Sequence, residues 1–524
     1  MVLSGCTGFQ VQYDRTTLTP GAKQAATAAA ADVPTSAPPP TASAASVQLP
    51  ANLVEPDLLP YKWEDLTPFK DSLQPEFYDR LGQSIRQPHY QINLTIGDDL
   101  TSISGSEELL FTNQTGGSLP DVVLRMFPAI MGSSPVVKNI QVNGVDARAA
   151  VSGQGSVYRI PLPTPLQDGG AVTISLDFNY EMPADPSGNY AIFAYANDIL
   201  ALAHFYPVLS EYGPDGWRTE IPPQQGDILF NEASLYLVRV TAPVDVMLIS
   251  SGSSLRTSQV NNRQVEIFAA GPARDFYLAA SPALTGIDRS TNGVTLRVYY
   301  PSGEDAGGKL ALDTMAKALA DYDKLVGPYP YTELEVVATP TQALGVEYPG
   351  AIAINRNLFD IQGSDPNSDA RIYLESTVAH EIGHQWFYNV VGDDQLRQPW
   401  LDESLTQYIT YRYYQQQYGD AGGQGMLSSF YSRWDRVERA KIPIGLPVDA
   451  YADDEYSPIV YGRGPLFFRE LEQKMGVTKF DAFLKSYYAA YQWKVATTAD
   501  IQASLQSACA CDLTKEFNDW VNPK

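Results

Sequence analysis

The sequence predicts a multidomain β plus α+β protein, with an N-terminal antiparallel β domain followed by a mixed domain. Three observations predict it. The chain has 524 residues, more than one hydrophobic core organises, so two or three domains are expected. From about residue 85 to 285 apolar residues alternate, as in Val172, Ile174, Leu176, Phe178 and Tyr180, with breaks at Asp168-Gly169-Gly170 and Pro183. After Gly293 the period changes, and Leu312, Met315, Ala316, Leu319 and Tyr322 recur at helical spacing.

Residues 1–54 are expected to form a leader and linker. Residues 16–50 are dominated by Ala, Thr, Pro and Ser and include Pro38-Pro39-Pro40, a composition that cannot bury a core. Ahead of them, Leu3-Ser4-Gly5-Cys6 has the form of a bacterial lipobox, in which the cysteine becomes lipidated. Only five residues precede Cys6, too few for a charged start and an apolar run of about 7 to 15 residues, so the true start is expected further upstream. A chance match is the rival reading of so short a pattern. On the lipoprotein reading the protein is extracytoplasmic and tethered to a bacterial membrane through Cys6.

The β domain is expected over residues 55–288, with candidate strands at 90–96, 106–113, 122–127, 234–240 and 264–268. The mixed domain is expected over residues 289–524. It opens with a strand at 294–300, a helix stopped by Gly327-Pro328 and a strand at 333–338. Leu344-Gly345-Val346-Glu347-Tyr348-Pro349 then leads to a short apolar run at 351–354. A helix over residues 370 to about 391, closed by Gly392, follows, and Pro399 and Trp400 open the next one. The α+β pattern runs to the C-terminus, and no C-terminal helical domain is expected.

The formal charge of -24 argues against nucleic-acid backbones and anionic membrane surfaces, which would repel the chain at long range. Three cysteines, Cys6, Cys509 and Cys511, supply neither a disulfide framework nor a cysteine metal site. Cys509 and Cys511 could form one small disulfide or remain free thiols.

His380-Glu381-Ile382-Gly383-His384, followed after eighteen residues by Glu403, reads as a zinc site carrying its own base. Residues i and i+4 share a helix face, so both imidazoles can reach one ion, and a catalytic zinc takes three protein ligands plus an open position. The expectation is one Zn2+ per chain, held by His380, His384 and Glu403. Glu381 then acts as general base toward a zinc-bound water that attacks a scissile carbonyl. Asp402, beside the third ligand, would orient an imidazole or serve as an ordinary acid at a helix start. His89 and His204 are read as structural.

These segments resemble the aminopeptidase N family of zinc metallopeptidases, gluzincins related to leukotriene hydrolase with a thermolysin-like catalytic domain. The zinc signature and its spacing to Glu403 match the family's pattern. Leu344-Gly345-Val346-Glu347-Tyr348 is similar to its Gly-Ala-Met-Glu-Asn element, with Glu347 kept and Leu344, Val346 and Tyr348 departing. Tyr461-Gly462-Arg463-Gly464 resembles its Tyr-x-Lys-Gly element, with Arg463 in place of Lys. The resemblance spans about residues 55–524 and implies a peptide substrate. It assigns Glu347, with Gly345 and Tyr348, to the substrate's amine end and Tyr461 to the oxyanion. Tyr456 is the rival for that last role. The family's amine-binding acid or amide from the β domain has no clear counterpart in the sequence. The implied activity is removal of N-terminal residues. An endopeptidase or dipeptide-releasing peptidase of the same fold stands as the alternative, and a non-catalytic surface-binding protein as the reading from another class. Oligomeric state is not read from the sequence.

Overall fold

The structure is a computed structural model that describes residues 61–223, 225–227 and 230–523. Cys6 and the expected leader and linker over residues 1–54 lie outside the described residues. A short helix, α1 (Tyr78–Gln83), precedes the β domain.

The β domain holds one eight-stranded, two four-stranded and one two-stranded sheet among the described residues. The largest has eight strands, and His89–Ile96 lies at its centre between Ser102–Thr112 and Ser234–Pro243. The pairing with Ser234–Pro243 is parallel, His89 opposite Leu235, which corrects the expectation of a purely antiparallel domain. No hairpin joins these two strands. The intervening chain instead adds four further strands to this sheet, forms one four-stranded sheet and supplies two strands of the other, so the return to the first strand can run in the same direction. Ile92, Leu94, Val172, Ile174, Phe178 and Val238 fill the core these sheets enclose.

One carboxylate breaks that core. Glu107 is 1% exposed, and among the described residues neither of its oxygens has a hydrogen-bond partner. Burial pushes its carboxyl well above the ordinary glutamate value. A raised folded value means the proton is held in the native state after the unfolded chain has lost it. This contribution to stability is therefore intact below about pH 4.3, the unfolded value, and is lost as pH rises toward the folded one. Glu107→Leu is expected to raise unfolding free energy at pH 7 by about 1–3 kcal/mol and to flatten this decline. Urea denaturation at several pH values measures both, and an unchanged midpoint at pH 7 counts against the burial argument.

The second domain is built on a five-stranded sheet ordered Leu284–Thr291, Val294–Pro301, Glu333–Thr339, Ala351–Asn355, Gly345–Val346. The expected boundary at residue 289 falls inside its first strand, which pairs along its whole length with the second. Helices α2 (Asp305–Leu325) and α3 (Asp369–Gly383) pack against one another and against this sheet. The helix expected to carry the metal ligands ends at Gly383, not near residue 391, because Tyr388 takes a left-handed φ of 94° and residues 384–391 turn back. Asn389 Nδ2 donates to the His384 carbonyl at 3.2 Å, supplying part of what continued helix would have given.

From Glu403 onward the chain is helical: α4 (Glu403–Asp435), α5 (Gly464–Met475), α6 (Val477–Tyr491), α7 (Thr498–Cys509) and α8 (Thr514–Trp520). This corrects in part the expectation of no C-terminal helical region. The helices share one core with the sheet rather than standing apart, with Trp400, Phe467, Phe468 and Phe517 in mutual contact. Cys509 and Cys511 form a disulfide just past α7. No helix among the described residues is long and apolar enough to cross a membrane.

The two domains meet on buried polar contacts as well as apolar ones. Arg274, fully buried at the end of a β-domain strand, donates to the carbonyls of Tyr388 (2.6 Å), Lys494 (2.7 Å) and Val390 (3.4 Å) in the second domain and Asn231 (3.0 Å) in its own. Gly392, expected to close the metal helix, makes room for this guanidinium, since a Cβ there would lie 2.0 Å from Arg274 Cζ.

Candidate active site

Helix α3 and the start of α4 bring the zinc-signature residues to one buried point. His380 and His384 sit in the last turn and at the C-cap of α3, and Glu403 is the first residue of α4. Asp402 caps α4, its Oδ1 accepting from the Glu403 amide at 2.7 Å. Its other oxygen lies 4.0 Å from His384 Nδ1, too far for a hydrogen bond, so of the two roles open in the sequence the geometry supports the acid at the helix start.

His384 Nδ1 faces the Phe387 carbonyl at 3.1 Å, which fixes the proton on that nitrogen and turns the Nε2 lone pair inward. His380 Nε2 lies 3.1 Å from His384 Nε2, and Glu403 Oε2 lies 3.3 Å and 3.2 Å from the two nitrogens. Two ring nitrogens facing each other beside a carboxylate repel unless a proton or cation lies between them. Three donors about 2 Å from one ion in tetrahedral directions would stand roughly 3.3 Å apart, so the spacing found suits Zn2+. Burial, the largest influence, lowers His380 to about 4, with His384 opposing its charge and Glu403 favouring it. The imidazole is thus neutral and able to ligate at pH 7. Glu403 is buried, which favours its neutral form, yet the two histidines outweigh this and hold it well below the usual carboxylate range.

Glu381 points to the same place from α3. Its approach depends on Gly345, where a Cβ would lie 2.6 Å from the Glu381 side chain, so the edge strand Gly345–Val346 can pass over it only with glycine. Burial first, then the neighbouring Glu347, pushes the Glu381 carboxyl well above its ordinary value. Glu347, Glu381 and His384 each place one ligand-type atom within 4.8 Å of the others.

Glu347 Oε1 accepts from Gln395 Nε2 at 2.8 Å, and the same amide reaches Asp402 (2.9 Å) and Asp227 (3.3 Å). Asp227 comes from the β domain. Its carboxyl is buried and raised well above the ordinary value, first by burial and then by the charge of Glu347. Asp227, Gln225 and Gln395 all line the cleft, and none was singled out from the sequence. The one available signal was the Gly226-Asp227 pair closing a proline-containing run between strands.

Tyr461 lies on a π-helical segment, Ser457–Arg463, and donates to Glu403 Oε1. Its ring centroid is 6.3 Å from that of His380. The rival Tyr456 packs edge-on against Tyr461 at 5.8 Å and also lines the cleft. Arg463 turns away. Its guanidinium donates to the carbonyls of Ile442, Asp519 and Trp520, fastening the end of α8. Tyr348 stacks on Tyr277 at 4.2 Å beside the cleft. His204, expected to be structural, lines the cleft with Asp275, whereas His89 packs on Trp63 away from it. The cleft has a volume of about 280 Å³.

Residues 310–520 match the peptidase family M1 domain. That stretch of the chain is similar to the peptidase family M1 domain. The M1 domain thus contains α3, α4 and the Tyr461 segment, and the resemblance to aminopeptidase N holds. Aminopeptidase M1 of Arabidopsis thaliana is 25% identical over 309 residues, covering 55% of this chain and 34% of the relative. Aminopeptidase M1-C of Oryza sativa subsp. japonica is 27% identical over 286 residues, covering 48% and 31%. The chain therefore spans about a third of the length of these curated relatives. The solved M1 zinc metallopeptidase of Deinococcus radiodurans superposes with a TM-score of 0.64 at 21% identity, covering 83% of this chain and 93% of that one. A mutant of the Deinococcus enzyme bound to a Tyr-Ser-Ala substrate superposes with a TM-score of 0.62, again at 21% identity and with the same coverage. These two likenesses extend the match beyond the M1 domain to the β-rich domain before it.

Proposed function

We propose that the protein is a zinc-dependent aminopeptidase that hydrolyses N-terminal residues from peptides, with one Zn2+ per chain. The observation that carries this reading is the pairing of Glu347 from the M1 domain with Asp227 from the β domain, beside Glu381 and the three ligands. Two carboxyls joined through Gln395 make an anchor for an α-ammonium, and an anchor this near the base leaves room for one residue before the cut. The Deinococcus relative with a bound tripeptide supports a peptide occupant.

His380, His384 and Glu403 would hold the metal, which when bound supplies a Lewis acid for the scissile carbonyl and lowers the pKa of water to about 7. Glu347 and Asp227 bind the α-ammonium and fix the first carbonyl over the site. Glu381 takes the proton of the attacking water as its oxygen joins the carbonyl carbon, then gives it to the amine nitrogen as the C–N bond breaks. The raised affinity of Glu381 for a proton suits both halves of that transfer. Tyr461 donates its phenol hydrogen bond to the oxygen on which negative charge develops.

The testing experiment is hydrolysis of aminoacyl fluorogenic amides with free and with acetylated amines, before and after zinc chelation. Chelator-sensitive cleavage of free-amine substrates alone is expected. Cleavage of acetylated ones moves the reading to an endopeptidase, and chelator-resistant cleavage removes the metal. In the same assay Glu347→Ala is expected to raise KM about tenfold or more for free-amine substrates and to change kcat less, because the lost contact is made before the chemical step. An unchanged KM would remove the anchor role. An extracytoplasmic location through lipidated Cys6 is proposed on sequence grounds, and recovery of the complete gene product in the soluble fraction would end it.

A further inference from the structure

The deep end of the cleft carries chemistry that the hydrolytic step does not use. His204, Asp275 and Tyr348 line it where the two domains meet. Asp275 Oδ1 accepts from Tyr206 at 2.8 Å and from the Phe276 amide at 2.7 Å. Its Oδ2 lies 2.7 Å from His204 Nδ1, so the carboxylate and the imidazole partner each other. The hydroxyls of Tyr348 and Tyr277, stacked beside them, are buried and have no hydrogen-bond partner among the described residues. The His204 ring stands edge-on to Tyr348 at 6.0 Å, so these groups form one cluster. The flanking walls, Tyr190, Ile192, Leu344 and Tyr388, are aromatic or aliphatic.

Buried polar groups are almost always satisfied, so a cluster of this kind points to a polar visitor. The groups left without a partner among the described residues are the Tyr348 and Tyr277 hydroxyls, and a phenol can both give and receive. A visitor that does both can satisfy the cluster, and a hydroxyl does both, whereas an ammonium or guanidinium only donates. A lining of aromatic and aliphatic side chains beside such hydroxyls fits an aromatic ring with a hydroxyl at its tip. We infer that this end of the cleft receives the first side chain of the substrate and selects N-terminal tyrosine over phenylalanine, with His204, Asp275 and Tyr348 as the specificity-determining residues.

The inference rests on the aminopeptidase reading for its substrate, so the test separates the two. Hydrolysis of tyrosyl and phenylalanyl aminomethylcoumarin amides by the zinc-loaded protein gives a ratio of kcat/KM. Calorimetric binding of L-tyrosinamide and L-phenylalaninamide gives a ratio independent of turnover. Both ratios are expected to favour tyrosine by about tenfold or more, because a pocket built to bond a hydroxyl rejects the analogue that leaves its polar groups unpaired. Tyr348→Phe keeps the stacked ring and removes one hydroxyl. His204→Asn removes the imidazole at a position whose left-handed φ of 48° asparagine tolerates. Each is expected to bring both ratios toward one. Ratios near one in the wild-type protein, or a tyrosine preference that survives both substitutions, overturn the inference. Selective binding without hydrolysis of any amide would keep the pocket and sink the aminopeptidase, and hydrolysis without selectivity would do the reverse.

Discussion

Glu381→Gln is expected to lower kcat by about 10²- to 10⁴-fold while leaving zinc content and KM close to those of the wild type. The amide keeps the shape and size of the carboxylate but cannot accept and return a proton. Glu347 is the neighbouring carboxylate, and its Oε1 is engaged by Gln395 at 2.8 Å. The metal ligands His380, His384 and Glu403 do not depend on Glu381 for orientation, since His384 is turned by the Phe387 carbonyl and Glu403 is set by the start of α4. Metal analysis of the purified variant beside steady-state kinetics checks both halves. A variant retaining more than about a tenth of wild-type kcat would show that proton transfer here runs through another group.

The second large effect is expected at Tyr461. Removing one donor to a developing oxyanion costs about 10²- to 10³-fold in kcat, so Tyr461→Phe should fall in that range with little change in KM. The contact between its hydroxyl and Glu403 Oε1 raises a second route to the same loss, through a displaced ligand. Zinc affinity separates them: an unchanged affinity with a large fall in kcat is the oxyanion result, and a parallel fall in both is the positioning result. Tyr456→Phe is the matched control. It shares the edge-on packing with Tyr461 and should lose much less.

Much of the site was legible in the sequence because its spacing is local. His380, Glu381 and His384 share one helical turn, so composition and period alone place them together. Glu347, Gly345 and Tyr461 entered through resemblance, and the structure gives reasons they can stand there, as with the side chain that position 345 cannot carry beside Glu381. What stayed hidden comes from elsewhere in the chain. Asp227 and His204 sit in irregular stretches between strands, with no period to mark them, and reach the cleft only when the β domain docks. The parallel pairing of His89–Ile96 with Ser234–Pro243 is invisible for the same reason, since alternation tells which face is buried and not which neighbour is chosen. The early end of α3 depends on the left-handed Tyr388, which nothing in the residue type announces. Helix α4 lacks a readable stripe because Glu403 through Tyr411 are buried without interruption, so its first turns have no polar face.

The guanidinium of Arg274 settles how this protein can and cannot move. Its bonds to the Tyr388, Val390 and Lys494 carbonyls cross the seam beside the cleft, and the left-handed Tyr388 that lines the cleft is one of the residues held. A hinge at that seam would have to break three charge-assisted contacts at once and leave a cation buried among carbonyls it no longer touches. The width of the cleft at its deep end is therefore set when the chain folds rather than when a ligand arrives. Selection there works by fit to a fixed mould, and any opening and closing must come from the far side, where α4 and the Tyr461 segment form the opposite wall.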